Sequence, residues 1–381
     1  MKIIIIMLLK KLLLILFFAA ITFLYGCGDS NISGDEDLSY QIGQMIMIGF
    51  RGTELNDTNH IVADITQRHI GGVIIYEYDS PSASRPRNIT SPEQLKKLTS
   101  DLRELNSDTL LIAIDQEGGM VSRLKERYGF PPTVSAQYLG DLNDPDTTRY
   151  WAERTAVQLD SMGININFAP VVDLNVNTAC PVIGNIQRSF SANPEVVKTH
   201  SSIFIEEHHK LGISCAIKHF PGHGSSKVDS HLGFTDISST WMFMELQPYL
   251  DLINAGLPDL IMTAHIYHSS LDSDYPATLS HNIITNILRN SMKWDGVIIS
   301  DDMQMGAITN NYGFETAILK AVNAGVDILI FSNNSPNGYN PNIAAEAINA
   351  IKNLVRSGAI PVSRIKESYA RILKLKNKSR R

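Results

Sequence analysis

Short apolar runs recur along the whole chain, and they constrain its fold more than any other feature. They cover residues 45–50, 72–76, 110–115, 164–169, 214–219, 260–265, 297–301 and 327–331. Each is rich in Ile, Val, Leu and Met and largely apolar on both faces. Strands buried on both sides of a parallel sheet have this pattern. Amphipathic stretches at 91–106, 147–162, 194–211, 240–255 and 314–324 separate many of the runs. Alternating strands and helices imply a parallel α/β fold. Eight strands predict a (β/α)8 TIM-type barrel; a doubly wound open sheet is the alternative. Neither GxGxxG nor GxxxxGKS/T follows any run, which weakens the nucleotide-binding form of that sheet. A chain of 381 residues would ordinarily suggest two or three domains of about 100–200 residues. Barrels depart from that rule, since one unit runs to about 250 residues or more. With no internal repeat and no linker after residue 40, a single domain over 41–378 is expected.

Hydrophobic residues make up 44% of the chain and charged residues 19%, a globular balance. The formal net charge of −6 argues against nucleic acid as a partner, which a basic stripe would serve. Three cysteines, Cys27, Cys180 and Cys215, make no disulfide framework and no CxxC pair for zinc. The basic segment 374–381 reads as a solvated helix end.

Residues 1–26 have the build of an export signal. Lys2, Lys10 and Lys11 flank or interrupt an apolar stretch that is nearly continuous from Leu12 to Tyr25, short for a membrane span. It ends Leu24-Tyr25-Gly26-Cys27, which resembles the bacterial lipobox, where the cysteine is lipidated after cleavage. The resemblance implies an exported lipoprotein of the bacterial cell envelope, held to the membrane through Cys27. A plain cleaved signal and an uncleaved anchor helix are the alternatives. Residues 27–40 are small, polar and acidic, and are expected to form a flexible tether.

Polar groups gather at the C-terminal ends of the apolar runs. These are Asp115-Gln116-Glu117-Gly118-Gly119, the segment to Asp173, Lys218 to Gly224, Thr263-Ala264-His265 and Ser300-Asp301-Asp302. In a barrel this is the face on which sites are built. A single polar strand end has a bland explanation, capping or loop satisfaction, and Asp302 suits it; five together predict a shared catalytic pocket. His219, His223, His231 and His265 raise the question of a metal. No HExxH is present, and His219 and His223 lie in a Pro-Gly loop rather than on one helix face. No metal and no cofactor are expected. No GxSxG elbow occurs either. Carboxylates with a histidine and several basic residues fit acid/base or glycosyl chemistry. Gly118 and Gly119 would allow a tight turn. Trp151, Trp241 and Trp294 lie in helical patterns and read as packing residues.

The segments 114–123 (IDQEGGMVSR), 168–173 (FAPVVD), 188–190 (RSF), 218–231 (KHFPGHGSSKVDSH) and 300–305 (SDDMQM) resemble glycoside hydrolase family 3, in its single-domain β-N-acetylhexosaminidase branch. They appear in the family's order. Met120 stands where many members carry Arg, and Ser225-Ser226-Lys227 replaces a common acidic or Thr-containing stretch. The resemblance implies a retaining enzyme that removes terminal β-linked N-acetylglucosamine from glycans such as peptidoglycan fragments. It implies Asp301 as nucleophile, His231 as acid/base and Asp229 as its partner. Asp115, Arg123, Arg188, Lys218 and His219 match sugar-binding positions. The chemistry is consistent: an imidazole titrates near neutrality and can give and then take a proton, and Asp229, two residues away, can fix its tautomer. Two other functions remain open at this point, a phosphorylase with phosphate in place of water and a catalytically silent glycan-binding lipoprotein.

Overall fold

The structure is a computed structural model that describes residues 30–56, 58–84, 86–106, 110–335 and 338–378, with side chains from residue 36. The expected signal, 1–26, and Cys27 lie outside the described residues. The expected tether, 27–40, is helical where it is described, because Ser30–Gln44 forms one helix. No proline interrupts this stretch, and once a turn is nucleated each further residue adds one hydrogen bond. The chain divides into two units after residue 40, and the architecture below is that of the described residues of the second.

Eight parallel strands close into a barrel in the order β1-β10-β9-β7-β5-β4-β3-β2. They are β1 (Ile46–Gly49), β2 (Gly72–Ile75), β3 (Leu111–Ile114), β4 (Ile166–Asn167), β5 (Ser214–Phe220), β7 (Leu260–Thr263), β9 (Val297–Asp302) and β10 (Ile328–Phe331). Closure is visible at β1, where Ile48 pairs with Phe331 on one side and Val73 on the other. Two short strands, β6 (Thr235–Asp236) and β8 (Ile266–Tyr267), pair outside the barrel. All eight apolar runs therefore become barrel strands, and the open sheet does not form.

The barrel strands are buried on both faces, as their composition requires: Ile46, Met47, Ile48, Leu111, Ile217, Leu260, Ile298 and Leu329 have no solvent exposure. Each such side chain contributes about 1.5–3 kcal/mol. Three of the outer helices start by one device. Ser91, Asp144 and Asn193 cap Pro92–Glu104, Pro145–Ser161 and Pro194–Lys210, each with a side-chain oxygen accepting N–H groups of the first turn and Pro as the next residue. The C-terminal helix, Val362–Lys378, is less solvated than its charges suggest. Lys376 is buried and donates to Gln44 Oε1 at 2.5 Å, and Lys378 pairs with Asp259. Lysine stems can lie along a protein surface while their ammonium groups reach fixed oxygens. Among the described residues, no helix is long and apolar enough to cross a membrane.

Candidate active site

A cavity of about 500 Å³ opens at the C-terminal ends of the barrel strands. Asp115, Arg123, Arg188, Lys218, His219, Asp229, His231 and Asp301 all line it. The structure thus brings together every residue singled out for catalysis or sugar binding. Trp151, Trp241 and Trp294 do not line it; Trp294 is buried, and Trp241 donates through Nε1 to Pro221 O at 3.2 Å.

The floor of the pocket is a chain of alternating charges. Lys218, on β5, reaches Asp115 at 2.7 Å and Glu117 at 2.6 Å, both at the end of β3. Arg188 holds Glu117 with two bonds, at 2.8 and 2.7 Å. Arg123 donates to the other oxygen of Asp115 at 3.2 Å. Burial works to raise the Asp115 carboxyl, but Lys218, Arg123 and Arg188 outweigh it and hold Asp115 far below the usual carboxylate range. Glu117 is lowered in the same way: burial opposes it, and Arg188 and Lys218 prevail. Such groups are ionised and fixed before any ligand arrives, so they can meet hydroxyl groups without reorganising.

His219 has both ring nitrogens committed. Nδ1 lies 2.7 Å from Asp173 Oδ2, and Nε2 lies 3.1 Å from Arg188 Nη2. Burial, then Arg188 and Lys218, push its pKa well below the ordinary value, so the ring is neutral. A neutral ring between a carboxylate and a guanidinium donates from Nδ1 and accepts at Nε2. His265 is likewise held, by Thr278 Oγ1 at 2.8 Å and by Asp302 O at 2.9 Å. Among the described residues no cluster of three or more potential metal ligands is present.

The two acids at the end of β9 differ. Asp301 lines the pocket and accepts the Asp302 N–H at 2.7 Å. Burial works to raise its carboxyl, but the imidazoles of His265, His219 and His231 and that N–H leave it below its ordinary value. Asp302 is raised, chiefly by burial. It accepts the N–H groups of Ser332 and Gln304 at 2.9 and 3.1 Å and the Ser332 hydroxyl. Asp302 therefore organises the loops, and Asp301 is the free anion.

Facing them, the loop after β5 supplies Asp229 and His231. Asp229 Oδ1 accepts the His231 backbone N–H at 2.8 Å and lies 2.7 Å from His231 Nδ1. The ring stands at the cavity mouth with 61% of its side chain exposed. Burial works to lower its pKa, but the bond to Asp229 and the charge of Asp301 raise it above the ordinary histidine value. The turn after β3 is tight as expected, with φ +101° at Gly118 and +58° at Gly119. A Cβ on Gly118 would stand 2.2 Å from Val134 O.

Glu117 and Asp173, which stand among the polar strand ends with no role assigned from sequence, also belong to this region, as do Tyr76 and Asn334, which no sequence pattern singles out. Glu117 follows Asp115 by two in an extended segment, a spacing that returns both side chains to one side and could have flagged it. Glu117→Ala would leave Lys218 with Asp115 alone and would strip Arg188, whose side chain is 10% exposed, of both its carboxylate bonds. Removing one partner of a buried pair costs about 3–5 kcal/mol. The variant is expected to unfold at lower denaturant with an unchanged slope, and Glu117→Gln to recover much of the loss.

A closed parallel barrel whose mouth sets an ionised carboxylate against an aspartate-paired histidine, over a floor of fixed polar groups, has the parts of a glycoside hydrolase. Comparison with known proteins agrees. Residues 37–375 match the glycosyl hydrolase family 3 N-terminal domain, and the chain belongs to that family. It is 34% identical over 294 residues to a beta-hexosaminidase of Tolumonas auensis, covering 76% of this chain and 83% of that one. It is 32% identical over 339 residues to beta-hexosaminidase A of Pseudoalteromonas piscicida, covering 82% of this chain but 54% of that one. Among solved structures, a family 3 β-N-acetylglucosaminidase from Paenibacillus superposes with a TM-score of 0.81 at 34% identity, over 90% of this chain and 62% of the other. A β-N-acetylhexosaminidase from Beutenbergia cavernae gives 0.79 at 26% identity, over 89% and 98%. The chain thus spans about half the length of one of these relatives and nearly all of another.

Proposed function

We propose that this protein is a retaining β-N-acetylhexosaminidase that releases terminal β-linked N-acetylglucosamine, with peptidoglycan fragments as the glycan class. The observation that carries the reading is the pairing in one cavity of Asp301, ionised at a strand end, with His231, whose Nδ1 is held by Asp229 at 2.7 Å. Names of relatives that include beta-hexosaminidase and β-N-acetylglucosaminidase support the sugar assignment.

The steps follow from the chemistry of the groups. A carboxylate oxygen of Asp301 attacks the anomeric carbon as the bond to the leaving oxygen breaks, and His231 Nε2 gives its proton to that oxygen. Nδ1 stays bonded to Asp229, whose charge stabilises the imidazolium before transfer. In the second step His231 takes a proton from water, the water oxygen bonds to the anomeric carbon, and the bond to Asp301 breaks. Asp115, Lys218 and Arg123 present donors and acceptors to sugar hydroxyls from the floor. A site that hydrogen-bonds a hydroxyl rejects an analogue lacking it, because its buried groups are then unpaired.

Turnover of an aryl β-N-acetylglucosaminide, with the product anomer followed by NMR, tests the reading. The expected result is free sugar, released first as the β anomer. No turnover, or α anomer first, overturns it. The same assay with phosphate present separates hydrolysis from phosphorolysis: accumulation of sugar 1-phosphate in place of free sugar would make the protein a phosphorylase.

A further inference from the structure

The loop that carries Asp229 and His231 is tied down by groups that do not face the cavity. His223, 3% exposed, lies inside the loop. Its backbone N–H donates to Asp173 Oδ1 at 2.8 Å. Its Nδ1 lies 2.9 Å from Ser226 Oγ and its Nε2 lies 3.0 Å from Ser230 Oγ. Both serines are buried. Burial lowers the His223 pKa, so the ring is neutral and offers one donor and one acceptor, which the two hydroxyls can match. Ser230 is the residue between Asp229 and His231. One imidazole thus joins an early point of the loop to the acid/base pair itself.

A second tie comes from the helical turn, Gly306–Thr309, that follows the strand bearing Asp301. Gly306 N–H donates to His231 O at 3.2 Å, and Ala307 N–H donates to Ser230 O at 3.3 Å. The donor segment is itself held on β9, where Met305 N–H donates to Asp302 O at 3.0 Å. The two backbones touch here: a Cβ on Gly306 would stand 2.9 Å from His231 O and 3.0 Å from Leu232 O.

We infer that His223, Ser230 and Gly306 are positioning residues that set the acid/base pair in register with Asp301. The inference rests on the acid/base reading of His231 given above. The need for such residues follows from exposure. Little packing fixes a ring that is 61% exposed. Its bond to Asp229 orients it within the loop but does not place the loop against β9. Without the ties the loop would sample many positions, and ordering it costs about 1–2 kcal/mol per residue. None of the three residues lines the cavity, so their effect passes through His231.

The test uses the full chain with two substrates, an alkyl β-N-acetylglucosaminide and the 2,4-dinitrophenyl glycoside. Only the alkyl substrate needs a proton on its leaving oxygen. Ser230→Ala removes one hydroxyl. His223→Asn places an amide where Nδ1 stands and loses the Ser230 tie, whereas His223→Gln reaches the Nε2 position. Misplacement of a reacting group by about 1 Å costs on the order of 100-fold. Ser230→Ala and His223→Asn are therefore expected to lower kcat on the alkyl substrate about 10–100-fold with KM little changed. The glycosylation step for the dinitrophenyl substrate should be nearly untouched, and His223→Gln should recover most of the loss. Gly306→Val should give the same split by forcing the backbones apart. The alkaline limb of the pH profile should move to lower pH in each, as His231 loses the raising influence of Asp301. Thermal unfolding of Ser230→Ala, matched to the parent, confirms that the fold is retained. Equal loss on both substrates, or no loss on either, overturns the inference. If His231→Ala shows the substrate split and Ser230→Ala does not, the acid/base reading stands and only the positioning role falls. If His231→Ala shows no split, the reading itself falls.

Discussion

Asp301→Ala is expected to lower kcat by about 10⁴–10⁶-fold, the scale on which removal of a nucleophile acts in other covalent mechanisms. The residue lies at the end of β9 and faces the cavity, and among the described residues its side chain accepts the Asp302 N–H alone. Truncation should therefore leave the fold cooperative, with little change in the midpoint of thermal unfolding. Azide added to this variant should restore turnover and yield the α-glycosyl azide, because the small anion enters from the face that Asp301 vacates. Asp302→Ala should behave differently. It deprives two part-buried backbone N–H groups and the Ser332 hydroxyl of their acceptor, so its dominant effect should be lost stability. Near-parent activity of Asp301→Ala, or azide rescue of Asp302→Ala alone, would show that the nucleophile has been misplaced.

The second large effect belongs to the histidine. His231→Ala is expected to cut hydrolysis of alkyl and natural glycosides about 10²–10⁴-fold, the usual value of general acid catalysis. Glycosylation by a dinitrophenyl donor should suffer far less. Asp229→Ala should show the same pattern, and the double variant should lose much less than the product of the single losses, since the two act as a unit. The pH profile supplies an independent check. Asp301 must be ionised, and its pKa is lowered, so activity should fall only well into the acid range. His231 must be protonated, and its pKa is raised, so activity should persist above pH 6.5 and fall as pH rises through the raised value. That alkaline limb should vanish in His231→Ala with the activated substrate. Additive losses or a surviving alkaline limb would dissociate His231 from the proton transfer.

Much of the fold was legible because burial on both faces writes strands as uninterrupted apolar runs. The run 297–301 became β9 with one added residue, and 214–219 became β5 likewise. The weakest agreement is at β4, where 164–169 was expected and only Ile166–Asn167 pairs as a strand. Asn165 and Asn167 explain it. Their side-chain amides bond Ile112 N, Leu110 O, Gln116 N and Gln116 O, taking over contacts that a backbone ladder would make. An asparagine in an apolar run does not announce that substitution. The site was legible where reactive residues end strands, as at Asp115, Lys218 and Asp301. It was less so where partners come from loops. Asn334 follows β10 in an irregular segment, and it is seated by Arg87, which donates to it at 2.8 Å, and by its own bond to Tyr78 O at 3.0 Å. No local pattern encodes contacts between residues some 250 positions apart. The helix at Ser30–Gln44 escaped notice for another reason: small polar residues read as a tether but also lack anything that stops a helix.

The unequal placement of the two reacting groups bears on how such a catalyst can be altered. Asp301 is committed to a strand. A slip of one residue along β9 would turn its side chain away from the barrel mouth, because side chains alternate. His231 rides on a loop whose tip, Lys227-Val228, is exposed, and there insertions carry only a slowly growing entropic cost. Bonding at the anomeric carbon and proton delivery to the departing group are thus carried by different parts of the fold, joined through the bonds of Gly306 and Ala307 to His231 and Ser230. A descendant recoded or lengthened at the exposed tip, Lys227-Val228, outside the buried His223, Ser226 and Ser230 ties, could accept a different departing group while its sugar seat and its barrel stayed as they are.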